Sequence, residues 1–235
     1  MNVEYVYDVV SSEFISKGIT RIILRPSTES HLSYQAGQYI KVIHSDGESP
    51  LSIANAPDKK NFIELHLAHP HTNLPAKNIL RVVADEKKLI LRGPYGNCTI
   101  KELSMEQPVI FLARGTGFAP IKAIIEEVKT FKKYPPMHFY WSATSPEGFY
   151  MNELLAQWTH EIENFSYTLL LSRPHPHWRG KTGLLQDVVL EDYPEIAKYL
   201  VYVSAPEPIV HDVLHVFQKA GLPRDHYFSD VFDYV

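Results

Sequence analysis

The sequence predicts two domains in series: a small antiparallel β-barrel, then a parallel-sheet α/β domain. Three observations predict this. The first hundred residues carry short β-branched and aromatic runs separated by turn residues. From residue 108 onward, apolar runs alternate with segments of helical spacing. A polar stretch, KELSMEQ (101–107), separates the two patterns and sets the divide near 103, giving units 1–103 and 104–235.

In the first unit, VEYVYDVV (3–10), ITRIILR (19–25), QYIKVIH (38–44), FIELHLA (62–68) and KLILRG (88–93) read as strands. Five or six short strands at this spacing fit a small antiparallel barrel. One interruption, LPAKNILRVVA (74–84), reads as a helix, with Asn73 as its cap and Pro75 in its first turn. In the second unit, PVIFLA (108–113) is a continuous apolar run, as a strand buried on both faces requires. Segment 120–133 follows with Ile121, Ile124, Ile125 and Val128 on one helical face. Strands at 137–142, 166–172 and 199–205 then alternate with helices at 150–158, 184–190 and 208–221. That alternation implies right-handed crossovers in a parallel sheet.

Composition narrows the function. The 235 residues are 45% apolar and 21% charged, with a formal net charge of −4. There is no basic run to meet nucleic acid. Cys98 is the single cysteine, so the chain forms no internal disulfide and no Cys-ligated iron–sulfur cluster. The start, MNVEYVYDVV, lacks the basic and apolar regions of a signal peptide, and no apolar run approaches membrane-spanning length. The expectation is a soluble, cytoplasmic protein. His66, His69 and His71, and His175 with His177, lack the converging pattern of a metal site, so no metal is expected.

The turn GTG (115–117) after the first α/β strand has two readings. Its glycines allow backbone N–H groups to approach an anion closely at a helix start. The same glycines would equally serve a tight strand-to-helix corner. The spacing is not that of the G-x-G-x-x-G fingerprint, since position 120 is proline.

Several segments, taken in order, resemble the ferredoxin–NADP reductase superfamily, and within it NAD(P)H:flavin oxidoreductases of the bacterial Fre and LuxG type. They are AGQYIKV (36–42), SPLSIANAPDKKNFIELHL (49–67), GPYG (93–96), GTGFAP (115–120), WRGKTG (178–183) and YFSDVFDYV (227–235). The resemblance implies a flavin motif at Ser49, Pro50, Leu51 and Ser52, with Ser52 beside flavin N5 where hydride arrives. The family's arginine and aromatic are replaced by Ser49 and Leu51, which fits a flavin that visits as a substrate and equally a protein that has lost flavin chemistry. Gly115, Thr116 and Gly117 carry over as the dinucleotide loop. Arg114 stands where the family commonly has a small residue, and either adds charge toward a pyrophosphate or crowds the loop. Ser172 and Arg173 match a pair that holds a 2′-phosphate in NADPH-preferring relatives; a solvated arginine is the other reading. Trp178 and Gly180 would shape that pocket or simply pack. Ala205 and Pro206 would lie near the nicotinamide, with Ser204 where some relatives keep a thiol and Glu207 at the following helix start. Phe228, Phe232 and Tyr234 form a C-terminal aromatic cluster, and Asp230 matches an acidic position beside the flavin.

The implied activity is NAD(P)H-dependent flavin reduction, with hydride passing from nicotinamide C4 to flavin N5. The implied cofactors are NADPH or NADH together with FAD, FMN or riboflavin. A downstream oxygenase or iron acceptor would consume the reduced flavin. Two alternatives stay open: an electron-transfer subunit serving a separate ferredoxin or oxygenase, and a non-enzymatic dinucleotide-binding protein on a degenerate scaffold.

Overall fold

Period-two alternation in the first hundred residues closes into a six-stranded antiparallel barrel. The computed structural model describes residues 3–58, 61–69, 73–100 and 107–233. The barrel strands are β1 (Glu4–Ser16), β2 (Ile19–Pro26), β3 (Tyr39–His44), β4 (Gly47–Ser52), β5 (Ile63–Ala68) and β6 (Lys88–Tyr95), in the order β4-β3-β6-β1-β2-β5. An Ile53–Leu65 bridge joins the two end strands and closes the barrel. Inward residues such as Tyr7, Ile22, Leu24, Ile40, Leu65 and Leu91 fill it. Helix α1 (Leu74–Asp85) contributes Ala76, Ile79 and Val83 to that core. Its cap is as expected: the Asn73 side chain accepts from the Ala76 N–H.

The second half is an all-parallel sheet ordered β10-β9-β8-β7-β11-β12. Its strands are β7 (Val109–Arg114), β8 (Met137–Ala143), β9 (Phe165–Leu171), β10 (Lys181–Thr182), β11 (Leu200–Ser204) and β12 (Tyr227–Phe228). Alternate β7 residues feed opposite faces. Val109, Phe111 and Ala113 pack beneath α2 (Phe118–Val128) and α3 (Asn152–Glu161), while Ile110 and Leu112 pack beneath α4 (Leu185–Asp192) and α5 (Glu207–Lys219). Being covered on both faces explains the unbroken apolar run of β7.

The divide expected near 103 lies outside the described residues. The segment 120–133 is not one helix: α2 begins earlier and stops at Val128. The Glu127 carbonyl accepts from both the N–H and the hydroxyl of Thr130, which tightens the chain into a turn ahead of Pro135 and Pro136.

The halves are packed together. Barrel residues Ala36 and Cys98 join the α2–α3 core. A Cβ at Gly37 would lie 2.2 Å from the Cys98 carbonyl oxygen and 3.0 Å from Ile124 Cδ1, so only glycine permits this approach. On another side, Ser16 Oγ in the β1–β2 hairpin donates to the Glu147 carbonyl at 2.7 Å.

Candidate functional site

Strand order reverses at β7, with β8 to one side and β11 to the other. Ligands of open α/β sheets gather beyond the strand carboxyl ends at such a reversal. A central cleft of about 380 Å³ opens there, within the roughly 300–1,000 Å³ usual for small-molecule sites. Its barrel wall presents Pro50, Leu51 and Ser52. Its α/β wall presents Thr116, Gly117, Ala205, Pro206 and the half-turn carrying Asp230.

The two glycines of the turn do different work. Gly115 has φ 56°, a left-handed conformation, and a Cβ there would meet nothing within 4 Å. Gly117 has an ordinary φ of −56°, but a Cβ there would lie 1.9 Å from the Ser204 carbonyl oxygen. The bare Gly117 backbone therefore lets the ends of β7 and β11 close on one another. Trp141 Nε1 donates to the Gly115 carbonyl at 2.9 Å and fixes the turn from below.

The barrel wall is an edge strand. Ser52 pairs with Tyr39 at the end of β4. Ser49 faces His44, with 2.9 Å between its Oγ and His44 Nε2. It lines not the central cleft but a neighbouring one of about 360 Å³, shared with Pro50 and Leu51. Among the described residues, no lysine or arginine from the barrel lines either cleft.

Beneath this wall lies a buried ionic cluster that joins the two halves. Glu64 of β5 accepts from Arg21 Nε at 3.0 Å and lies 3.4 Å from Lys122 Nζ of α2. Lys122, only 4% exposed, also donates to the Ala54 carbonyl at 2.8 Å and pairs with Glu126 at 2.8 Å. Glu126 in turn accepts from the barrel's Ala56 N–H at 3.2 Å. His66 is clamped between Glu64 at 2.8 Å and Tyr150 at 2.9 Å. A carboxylate can only accept, so His66 Nε2 carries the hydrogen and Nδ1 receives the Tyr150 hydroxyl. Burial lowers the His66 pKa, against the pull of Glu64, and so favours the neutral ring. Burial alone would raise Glu64, but its bond to His66, the Lys122 charge and its bond to Arg21 hold it at about 2.

His66 also lines the central cleft, a position sequence reasoning missed. The signal was present: Glu64 and His66 stand two apart in a strand and so share a face. His69 turns elsewhere, 2.8 Å from Thr20 Oγ1, and His71 lies outside the described residues. No group of three or more potential metal ligands occurs among the described residues.

The remaining expected residues are spread along the sheet's carboxyl edge. Arg114 extends sideways from β7, donating to Ser142 Oγ at 3.2 Å and Ser172 Oγ at 3.4 Å. Ser172 lines a recess of only about 80 Å³. Arg173 is exposed and lines none of these clefts. Trp178 packs on Phe149 with centroids 5.4 Å apart, and a Cβ at Gly180 would strike its ring at 2.6 Å, so this pair packs rather than walling a cleft. The aromatic cluster expected at the C-terminus is divided. Phe228 stacks on Tyr202 at 4.7 Å, Phe232 takes the Arg224 guanidinium at 4.4 Å on the other core, and Tyr234 lies outside the described residues. Asp230 is 8% exposed and faces the central cleft.

No described helix is long and apolar enough to cross a membrane. A model of oxidoreductase NAD-binding domains matches residues 111–215. The chain is 31% identical over 222 residues to the CDP-6-deoxy-L-threo-D-glycero-4-hexulose-3-dehydrase reductase of Yersinia pestis, covering 94% of this chain and 67% of that protein. It is 25% identical over 213 residues to the NAD(P)H-flavin reductase of Vibrio harveyi, covering 88% and 84% respectively. The structure of the CS-b5R domains of human Ncb5or superposes with a TM-score of 0.85 at 18% identity, covering 98% of this chain and 70% of that one.

Proposed function

We propose that this chain, which belongs to the ferredoxin–NADP reductase superfamily, is an NAD(P)H-dependent flavin reductase whose flavin comes and goes as a substrate. One observation carries the reading: a single cleft has a barrel wall at Pro50–Ser52 and a nucleotide-domain wall at Gly117 and Ala205. The residues present fit two flat heterocycles, since Pro50 and Leu51 on one wall and Gly117, Ala205 and Pro206 on the other offer small or apolar surfaces to ring faces. When both partners are bound, the chemistry they supply is hydride transfer from nicotinamide C4 to flavin N5.

The chain contributes placement and exclusion of water. Ser52 offers a hydroxyl at the end of β4 to the flavin side, and Leu51 offers an apolar face. Gly115, Thr116 and Gly117 face the dinucleotide, with Ala205 and Pro206 at its nicotinamide end. Ser172 lines only the small recess and Arg173 is exposed, so neither stands in the two larger clefts of this edge. Asp230 closes the flavin side, and His66, held neutral, adds no charge to that wall. No acid or base has to act, so two positioned surfaces suffice. In the central cleft and its Ser49 neighbour, no described lysine or arginine of the barrel stands ready to hold a flavin phosphate. That supports a flavin bound in passing, which is released reduced to an oxygenase or iron acceptor.

The test is oxidation of NADH and of NADPH with riboflavin, FMN and FAD added in turn. Saturable, flavin-dependent turnover is expected. No flavin-dependent oxidation of either nucleotide would end the proposal. A second reading draws on the Yersinia relative, named as the reductase of a dehydrase: electrons handed to a separate protein. Flavin that stays with the protein through desalting would favour it.

A further inference from the structure

Resting on that reading, we infer that Arg114 is the diphosphate anchor of this chain: its guanidinium grips the bridging phosphates of the pyridine dinucleotide midway along the bound molecule. Arg114 ends β7 at the reversal of strand order, and its side chain crosses the carboxyl ends of β8 and β9. There it lines the central cleft and also a lateral cleft of about 620 Å³. Thr116 is the other residue common to both.

A dinucleotide has a ring system at each end and its charge in the middle. With the nicotinamide end at Ala205 and Pro206, the adenosine end can follow Arg114 into either of the two other clefts that this side chain lines. The recess of about 80 Å³ is too small for a nucleoside, which leaves the lateral cleft. The diphosphate then falls on the residues the two clefts share.

Charge supports the same placement. The central cleft carries two carboxylates, Glu207 and Asp230, and the lateral cleft carries Glu147. Arg114 is the cation set between them. Lys17 of the β1–β2 hairpin lines the same lateral cleft, on a hairpin pinned to the other half by Ser16 and Glu147. The bonds to Ser142 and Ser172 orient the guanidinium fork and leave other N–H donors for phosphate oxygens. Arg173, the cation singled out by sequence, is exposed and lines neither cleft. The opposite possibility has the opposite sign: an arginine lying across the groove as a plug would have to be pushed aside, and removing it would tighten binding.

The experiment titrates the full chain, wild type and Arg114→Ala, with NADH, NADPH, ADP and adenosine by calorimetry. Loss of the anchor weakens NADH, NADPH and ADP by about tenfold or more, the worth of a charge-assisted contact, and leaves adenosine within about twofold. Arg114→Lys recovers part of the loss, keeping the charge without the fork. Unchanged or tighter binding in Arg114→Ala overturns the inference, as does equal weakening of adenosine and ADP. If Arg114→Ala does not fold, Arg114→Gln carries the same comparison. A wild-type chain that binds Arg114-dependent ADP yet fails the flavin assay sinks only the flavin reductase reading. A wild-type chain that binds neither dinucleotide sinks both.

Discussion

The two walls of the central cleft are made from different materials. The α/β wall turns on main chain: at Gly117 the turn lies against Ser204 so closely that a single methyl cannot be inserted. The barrel wall is side chain: Pro50, Leu51 and Ser52 line it from the edge strand β4, with Leu51 also packed on the barrel core. A main-chain wall can be built from few sequences, because its glycines answer to steric limits. A side-chain wall can exchange its groups and keep its strand. This is why the glycine turn matches the family pattern here while Ser49 and Leu51 depart from it.

Gly117→Ala should break the contrast most severely. Its Cβ would sit 1.9 Å from a carbonyl oxygen, so β7 and β11 must part. Turnover should fall on the order of a hundredfold, as expected for a displacement near 1 Å, with the thermal midpoint lowered as well. Near-normal kinetics would mean that the main-chain wall yields.

The next effect concerns what holds the walls in register. Lys122→Met removes one partner of a buried ionic cluster and should cost about 3–5 kcal/mol in urea unfolding. It also sharpens the pH dependence. Glu64 has its pKa lowered to about 2 from 4.5, so its stabilisation is present above pH 4.5 and is lost as pH falls toward 2. Without Lys122 the carboxyl rises, and acid unfolding should begin at higher pH than in the wild type. His66, also depressed, adds stability that is lost as pH drops below 6.5. An acid limb identical in both proteins would remove Lys122 from the account.

Ser52→Ala is the mildest change. It trims one hydroxyl from the side-chain wall, so flavin reduction should slow about fivefold, the worth of one neutral hydrogen bond near 1 kcal/mol, while NAD(P)H binding holds. An unaltered rate would place the flavin contact elsewhere on β4.

Most of the architecture was legible because it rests on period and punctuation. The β7 run, the Asn73 cap and the alternation after 108 all express local rules. β4 was not read as a strand of its own, since GESPLS contains a proline and little β-branched character; it forms because Pro50 sits on an edge strand, which needs no donor there. β10 and β12 are two residues each, too short for any periodicity, and exist only because longer neighbours template them. Of the site, the glycine turn and the Ala205–Pro206 end were visible. The Glu64–His66–Lys122 cluster was not, because Lys122 reads as one more helical lysine until tertiary packing sets it against β5.

That cluster has a consequence for how the chain comes off the ribosome. The barrel strands emerge first, but Glu64 and His66 face a gap until α2 delivers Lys122, and Tyr150 arrives later still. A nascent barrel therefore carries a half-neutralised acid on the surface it must soon bury. Burial of that carboxylate is completed only when the second half packs Lys122 against β5.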